Sequence, residues 1–195
     1  MTKWAPAKID TLDALAAEIL QNNGRGRVVV AIDGLAGTGA FAADLAEALG
    51  RTGHQAFTAA MDDFRHPRVI RYAAGSDAPE AGYDLDSFKR ALLDPFRDAA
   101  AGSFVLAAFD AARDAPVEPK WMTAKPDSIL LVHGAFLLTP ELRGLWNYTV
   151  WVETPSEPTK EQAAYVKRIK PRALASAIID NADASHPRRS FADSC

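Results

Sequence analysis

The stretch Val28-Val29-Val30-Ala31-Ile32-Asp33-Gly34-Leu35-Ala36-Gly37-Thr38-Gly39-Ala40-Phe41 runs five consecutive apolar residues into a turn with three glycines. Arg27 to Ile32 reads as a buried strand, because nothing polar interrupts its apolar run. Asp33 to Gly39 reads as a tight turn. Phe41 to Leu49 has the spacing of a helix, closed by Gly50. Peptide N–H groups at the start of a helix that follows such a turn point outward unpaired, so they form a ready anion site.

Two nucleotide-binding readings fit this turn. In the phosphate-loop pattern G-x-x-x-x-G-K-[ST], Gly34 and Gly39 have the right spacing, and the last two positions are Ala40 and Phe41. Alanine brings no positive charge to a phosphate, and phenylalanine has no oxygen for Mg²⁺. In the dinucleotide pattern G-x-G-x-x-[GA], the window is Gly37-Thr38-Gly39-Ala40-Phe41-Ala42, with Asp62 at about the 20-residue distance expected of a ribose-binding acid. Alone, the window fits the second pattern slightly better. A plain strand-to-helix turn with small residues for packing is the third reading.

Working outward, strands and helices alternate. Ile9 to Leu20 has helical apolar spacing and stops at Asn22-Asn23-Gly24. His54 to Met61 reads as the next strand, and Asp63 to Gly82 as loop. Leu85 to Ala101 reads as a helix that Pro95 must break or kink. Ser103 to Phe109 reads as a third strand, followed by a polar stretch with Pro116, Pro119 and Pro126. Ile129 to Val132 and Tyr148 to Val152 read as strands four and five, with a short helix at Pro140 to Leu145 between them. Thr159 to Ile169 reads as a helix and Ala177 to Ile179 as a last strand. This alternation predicts a doubly wound parallel sheet in a three-layer α/β sandwich.

The chain has 195 residues with a net charge of -3, which fits one domain and gives no electrostatic reason for a nucleic-acid or membrane partner. No apolar run approaches the roughly 20 residues of a membrane span, and the polar Met1 to Asp10 lacks a signal-peptide core. The single cysteine, Cys195, permits no internal disulfide. A cytoplasmic setting is the expectation. Residues 1–26 are expected as an N-terminal helix and lead-in, and 187–195 as a flexible tail.

Several downstream segments resemble, in order, those of the uridine kinase and phosphoribulokinase group of P-loop kinases. They are Met61-Asp62-Asp63-Phe64, Tyr83-Asp84-Leu85-Asp86-Ser87-Phe88, Phe109-Asp110, Leu131-Val132-His133-Gly134-Ala135-Phe136-Leu137-Leu138, Pro140 to Trp146, and Ile178-Ile179-Asp180-Asn181-Ala182-Asp183. The resemblance spans about Val28 to Pro187 and favours the phosphate-loop reading over the dinucleotide one. It implies ATP and Mg²⁺ as cofactors of an active member. Gly34, Gly37, Thr38, Gly39, Ala40 and Phe41 would then hold phosphate, and Asp62 would be the general base. Asp84, Phe109 and Asp110 would contact substrate, and His133 would take the place of the acidic residue after the central strand. Asp62 and Asp63 are the candidates for a metal.

The departures from that group fall on its chemistry. Ala40 and Phe41 replace the lysine and the hydroxyl, and His133 replaces a glutamate. Asp114 stands where a histidine is usual. The arginine-bearing lid is missing, since Trp151 to Pro155 leads almost directly into Thr159 to Tyr165. Arg65, Arg68, Arg71, Lys120 and Lys125 are the cations that could substitute. The expectation is a degenerate kinase-like protein that retains phosphate or nucleotide binding. The alternatives are an active ATP-dependent kinase using Asp62, a regulatory homo-oligomer joined through its aromatic C-terminal half, and a dinucleotide binder. Bland roles compete at each site: Asp33 orienting the loop, Asp84 or Asp86 capping a helix, Phe41 packing on the sheet, and His133 as a hydrogen-bonded core group.

Overall fold

The computed structural model describes residues 6–73, 79–98 and 102–191. Helix α1 (Lys8–Asn23) leads into strand β1 (Val28–Gly34), helix α2 (Thr38–Arg51) and strand β2 (Ala56–Ala60). A 3₁₀ turn, Met61–Phe64, and helix α3 (Arg68–Ala73) follow. Next come α4 (Leu85–Phe88), a π-helical turn (Lys89–Leu93) and α5 (Asp94–Arg97). Four short strands follow: β3 (Phe104–Val105), β4 (Phe109–Asp110), β5 (Ala115–Pro116) and β6 (Trp121–Met122). The chain then forms β7 (Ile129–Gly134), β8 (Tyr148–Glu153), α6 (Lys160–Ile169), α7 (Pro171–Leu174), β9 (Ala177–Asp180) and β10 (Arg188–Ser190).

The main sheet has six strands in the order β10-β9-β8-β1-β7-β2. Five are parallel, and β10 joins the edge antiparallel to β9. Every residue of β1 is buried, as its position between β7 and β8 requires. Alternate residues of the strands feed two cores. On one face, Leu12, Leu15 and Ile19 of α1 and Phe41, Leu45 and Leu49 of α2 pack over Val28, Val30 and Ile32. On the other, Phe88, Phe96 and Tyr165 pack with Val29, Ala31, Leu130 and Val132. The three-layer α/β expectation is met.

Topology also separates the two readings of the glycine turn. A dinucleotide-binding sheet sets its second strand beside its first. Here β7 lies between β1 and β2, so the chain crosses to the far position directly after the loop helix.

Local corrections have local causes. The expected third strand, Ser103 to Phe109, is not in the main sheet. It bends at Leu106–Ala108 so that β3 pairs with β6 and β4 with β5. The Ala108 N–H at the bend is satisfied by the Asp63 carbonyl at 3.0 Å instead of by a ladder. The expected helix through Ala101 is three segments, and Ala99 to Ala101 lie outside the described residues. Pro95 has no N–H to give the preceding turn, and the wide π-turn accommodates that missing bond while Pro95 opens α5. The loop from Asp63 contains α3, and Pro140 to Leu145 is reduced to a 3₁₀ turn at Arg143–Leu145. Residues 188–190 of the expected tail are β10, held by the free edge of β9; 192–195 lie outside the described residues. Among the described residues no helix is long and apolar enough to cross a membrane.

Candidate functional site

A cavity of about 500 Å³ opens at the carboxyl ends of the strands, where open α/β sheets place their ligands. One wall is Gly34, Leu35 and Thr38 of the loop. The opposite wall is Asp62, Arg65, Arg71 and Tyr83. Gly134 to Phe136 form the floor, and Thr159, Glu161 and Gln162 close the side.

The loop is fixed by close approaches. A Cβ on Gly34 would lie 2.7 Å from the Val152 carbonyl oxygen, so only glycine fits there. Gly37 caps α2 with φ of 73°, in the left-handed region, and a Cβ would meet Thr154 Oγ1 at 2.9 Å. The first-turn N–H groups of α2, from Thr38 to Ala40, lie ahead of the first helical bond and face outward. The Phe41 N–H is different: it donates to the Gly37 carbonyl at 3.1 Å. The Phe41 ring is buried in the core between α2 and the sheet. Ala40 is exposed beside the loop. Its methyl group leaves the cavity without the cation that a lysine would supply.

Asp62 does not stand free. Arg65 Nη2 pairs with Asp62 Oδ1 at 2.8 Å, its Nε donates to the same oxygen at 2.9 Å, and Tyr83 Oη donates to it at 3.3 Å. The Arg65 guanidinium also lies 5.2 Å from the centre of the Tyr83 ring. Burial, then the Asp62 charge, raises the Tyr83 phenol well above its ordinary range, so it remains a donor. Arg71 Nε donates to the His66 carbonyl at 2.9 Å, and its guanidinium is 3.9 Å from Asp114. Of the cations named as substitutes, Arg65 and Arg71 line the cavity. Arg68 faces Asp114 instead, at 4.0 Å, and Lys120 lines a separate apolar depression with Leu106 and Met122.

His133 lies one residue before the end of β7, close to the loop; a Cβ on Gly39 would be 3.2 Å from its Cε1. Burial lowers its pKa, and the nearby Asp62 charge only partly offsets this. It therefore stays neutral at pH 7, which argues against its acting as a phosphate-binding cation.

The expected substrate residues lie apart from the cavity lining. Asp84 caps α4, accepting the Ser87 N–H at 2.8 Å, and lines a neighbouring depression with His66 and Glu141. Asp110 accepts the N–H groups of Ala112 and Arg113 in a turn. Phe109 is buried. Asp63 is pushed up by burial and by the charges of Asp62 and Asp110.

Two residues that matter were not foreseen as a pair. Asp33 is fully buried and accepts a short hydrogen bond from Tyr165 of α6. Burial pushes its carboxyl up to about 7, against the pull of Tyr165 and the peptide N–H groups of Gly34, Leu138 and Leu137. From the same helix, Gln162 Nε2 donates to the Leu35 carbonyl of the loop at 3.0 Å. The capping box of Thr159 and Gln162 was the sequence signal that α6 begins there.

The amides of Thr38 to Ala40, ahead of the first helical bond, are the groups that would hold a phosphate. Mg²⁺ fits less well: Phe41 offers no oxygen, and among the described residues no group of three or more His, Cys, Asp or Glu side chains is arranged to hold a metal.

The chain matches no family model and no curated protein. Solved structures do match it. A protein described as a "possible uridine kinase" from Bacillus stearothermophilus superposes with a TM-score of 0.72 at 23% identity, covering 88% of this chain and 98% of that one. A "putative fructose transport system kinase" from Silicibacter sp. TM1040 gives 0.61 at 25% identity, covering 84% of each chain. D-glycerate 3-kinase from Cryptococcus neoformans gives 0.51 at 12% identity, covering 77% of this chain and 74% of that one. The fold is that of the P-loop kinases.

Proposed function

We propose that this protein binds a phosphate-bearing small molecule, in the manner of a nucleoside or sugar kinase, and transfers phosphoryl groups slowly or not at all. The observation that carries the reading is the fate of Ala40 and Phe41. The loop keeps its glycines and outward amides, while the position of the cation is a methyl group and that of the metal-binding hydroxyl is a ring buried in the core. Phosphoryl transfer depends on positioning and charge neutralisation. Loss of one oriented donor commonly costs 10²–10³ in rate. The same loss leaves the backbone cradle able to bind.

Calorimetric titration with ATP, with and without Mg²⁺, tests this. Micromolar-to-millimolar binding that is indifferent to Mg²⁺ is expected. Absence of any binding by ATP or phosphate would remove the proposal.

Arg65 and Arg71 favour a second reading, an active kinase in which they replace the missing cation and Asp62 acts as base. In that case ADP release depends on a hydroxyl-bearing acceptor and is abolished by Asp62→Ala. Acceptor-independent or absent ADP release removes it.

A further inference from the structure

We propose that Asp33 and Tyr165 are positioning residues for the anion loop, and that the loop holds anions tightly when Asp33 is neutral and weakly when it is charged. This deepens the reading of the loop as a phosphate site and rests on it.

The geometry begins at the end of β1. Asp33 directly precedes Gly34, and both are still paired in register with β8, to Trp151 and Val152. The Asp33 carboxyl thus lies at a fixed place at the base of the loop. One oxygen, Oδ2, accepts the Tyr165 hydroxyl, which itself accepts the Leu138 N–H at 3.1 Å. The other, Oδ1, is buried and accepts no hydrogen bond of normal geometry. A carboxylate so placed has only Tyr165 and nearby peptide N–H groups to offset its burial, and burial outweighs them, so the protonated carboxyl is the better tolerated form.

The groups that the described residues set against Asp33 in hydrogen bonds and strand pairing are neutral. From α6 comes the Tyr165 phenol, and from the segment after β7 the peptide N–H groups of Leu137 and Leu138. From the neighbouring strands come Trp151 of β8 and Gly134 of β7, its partners in register. His133, one residue before Gly134, is the adjacent titratable group. It packs beneath Gly39, and its own burial keeps it neutral near pH 7. At the loop itself, Ala40 provides no ammonium to offset a charge on Asp33. The carboxyl lies on the α6 face of the sheet, so its charge acts on an anion at the amides of Thr38 to Ala40 through the short loop that joins them. The pKa of about 7 places the change of charge within the ordinary working range of a protein.

Helix α6 makes the coupling mechanical as well as electrostatic. Tyr165 holds the residue before the loop, and Gln162 holds the Leu35 carbonyl inside it. The helix therefore fastens both ends of the same short segment.

Sulfate is a suitable ligand because it remains a dianion across the range. Its binding should be measured calorimetrically on the whole chain from about pH 6 to 8, with Ala40→Glu as the control that repels an anion from the loop. For the wild type, affinity is expected to fall by about tenfold over that interval. Asp33→Asn should bind at the tight level throughout. Tyr165→Phe removes a bond that stabilises the charged form, so it should move the midpoint to higher pH. It also supplies a second variant if Asp33→Asn folds poorly. His133→Gln should retain the wild-type slope. A flat wild-type profile with binding intact overturns the proposal alone, as does a slope that survives Asp33→Asn or vanishes in His133→Gln. No loop-dependent sulfate binding at any pH, in the wild type or in Asp33→Asn, overturns the phosphate-loop reading beneath it.

Discussion

Arg65 grips Asp62, with two of its nitrogens within 2.9 Å of one carboxylate oxygen. The aspartate proposed as base in the kinase reading thus already has a cationic partner. A phosphate entering the cavity competes with Asp62 for Arg65. Arg65→Gln is expected to weaken ATP binding by about tenfold or more, the loss typical of one charge-assisted contact of 1.5–3 kcal/mol. Stability should change by only about 1 kcal/mol or less, since both partners are partly exposed. Calorimetry and urea denaturation separate the two effects. Unchanged affinity would exclude Arg65 from the site.

The tightness of the loop makes glycine substitutions unequal. Gly34→Ala drives a Cβ to 2.7 Å from a backbone oxygen that cannot move aside. It should destabilise the protein by about 1–3 kcal/mol, as overpacking does. Gly50→Ala, in the last turn of α2 with nothing within 4 Å, should stabilise it by up to about 1 kcal/mol. Urea midpoints measure both. Equal effects would mean that the loop is not held as described.

The alternation of strands and helices was legible because the residues of β1, β7 and β8 are apolar on both faces, and both faces are covered. The loop was legible because its glycines answer to steric demands. What the sequence concealed was pairing at a distance. Nothing local says that Ser103 to Phe109 must bend away from the sheet, or that Arg188–Ser190 finds the edge of β9. The site was legible as a set of segments, not as contacts. Asp62 was visible, but its engagement by Arg65 and Tyr83 was not. Asp33 was visible, but its partner Tyr165 lies 132 residues away.

Burial of Asp33 should also appear in stability. Its carboxyl has an ordinary value of 3.8 and a folded value of about 7. Below 3.8 both states hold the proton and burial costs nothing through titration. Between the two values the unfolded chain releases a proton that the folded chain keeps, so stability falls as pH rises. Above about 7 the loss is complete and amounts to at most about 4 kcal/mol. Asp33→Asn should therefore gain on the wild type in urea denaturation at pH 8 and lose that gain near pH 4. A constant difference across this range would mean that Asp33 does not titrate as a buried acid.

Restoring the missing loop side chains should have opposite costs at two adjacent positions. Ala40 is exposed in the first turn of α2, so Ala40→Lys asks for no repacking and should alter stability by about 0.5 kcal/mol or less. Its ammonium would reach a phosphate on the loop amides, and ATP affinity should rise by about tenfold. Phe41 is 2% exposed among Leu45, Val30 and Ile32. Phe41→Thr removes a ring from that core and should cost about 3–5 kcal/mol. The double variant should consequently bind ATP more tightly than the wild type yet unfold at lower urea. If Phe41→Thr proved neutral in stability, the ring would not be a core group, and the view that this position was given over to packing would fail. If Ala40→Lys left ATP affinity unchanged, the amides of α2 would not be where the phosphates lie.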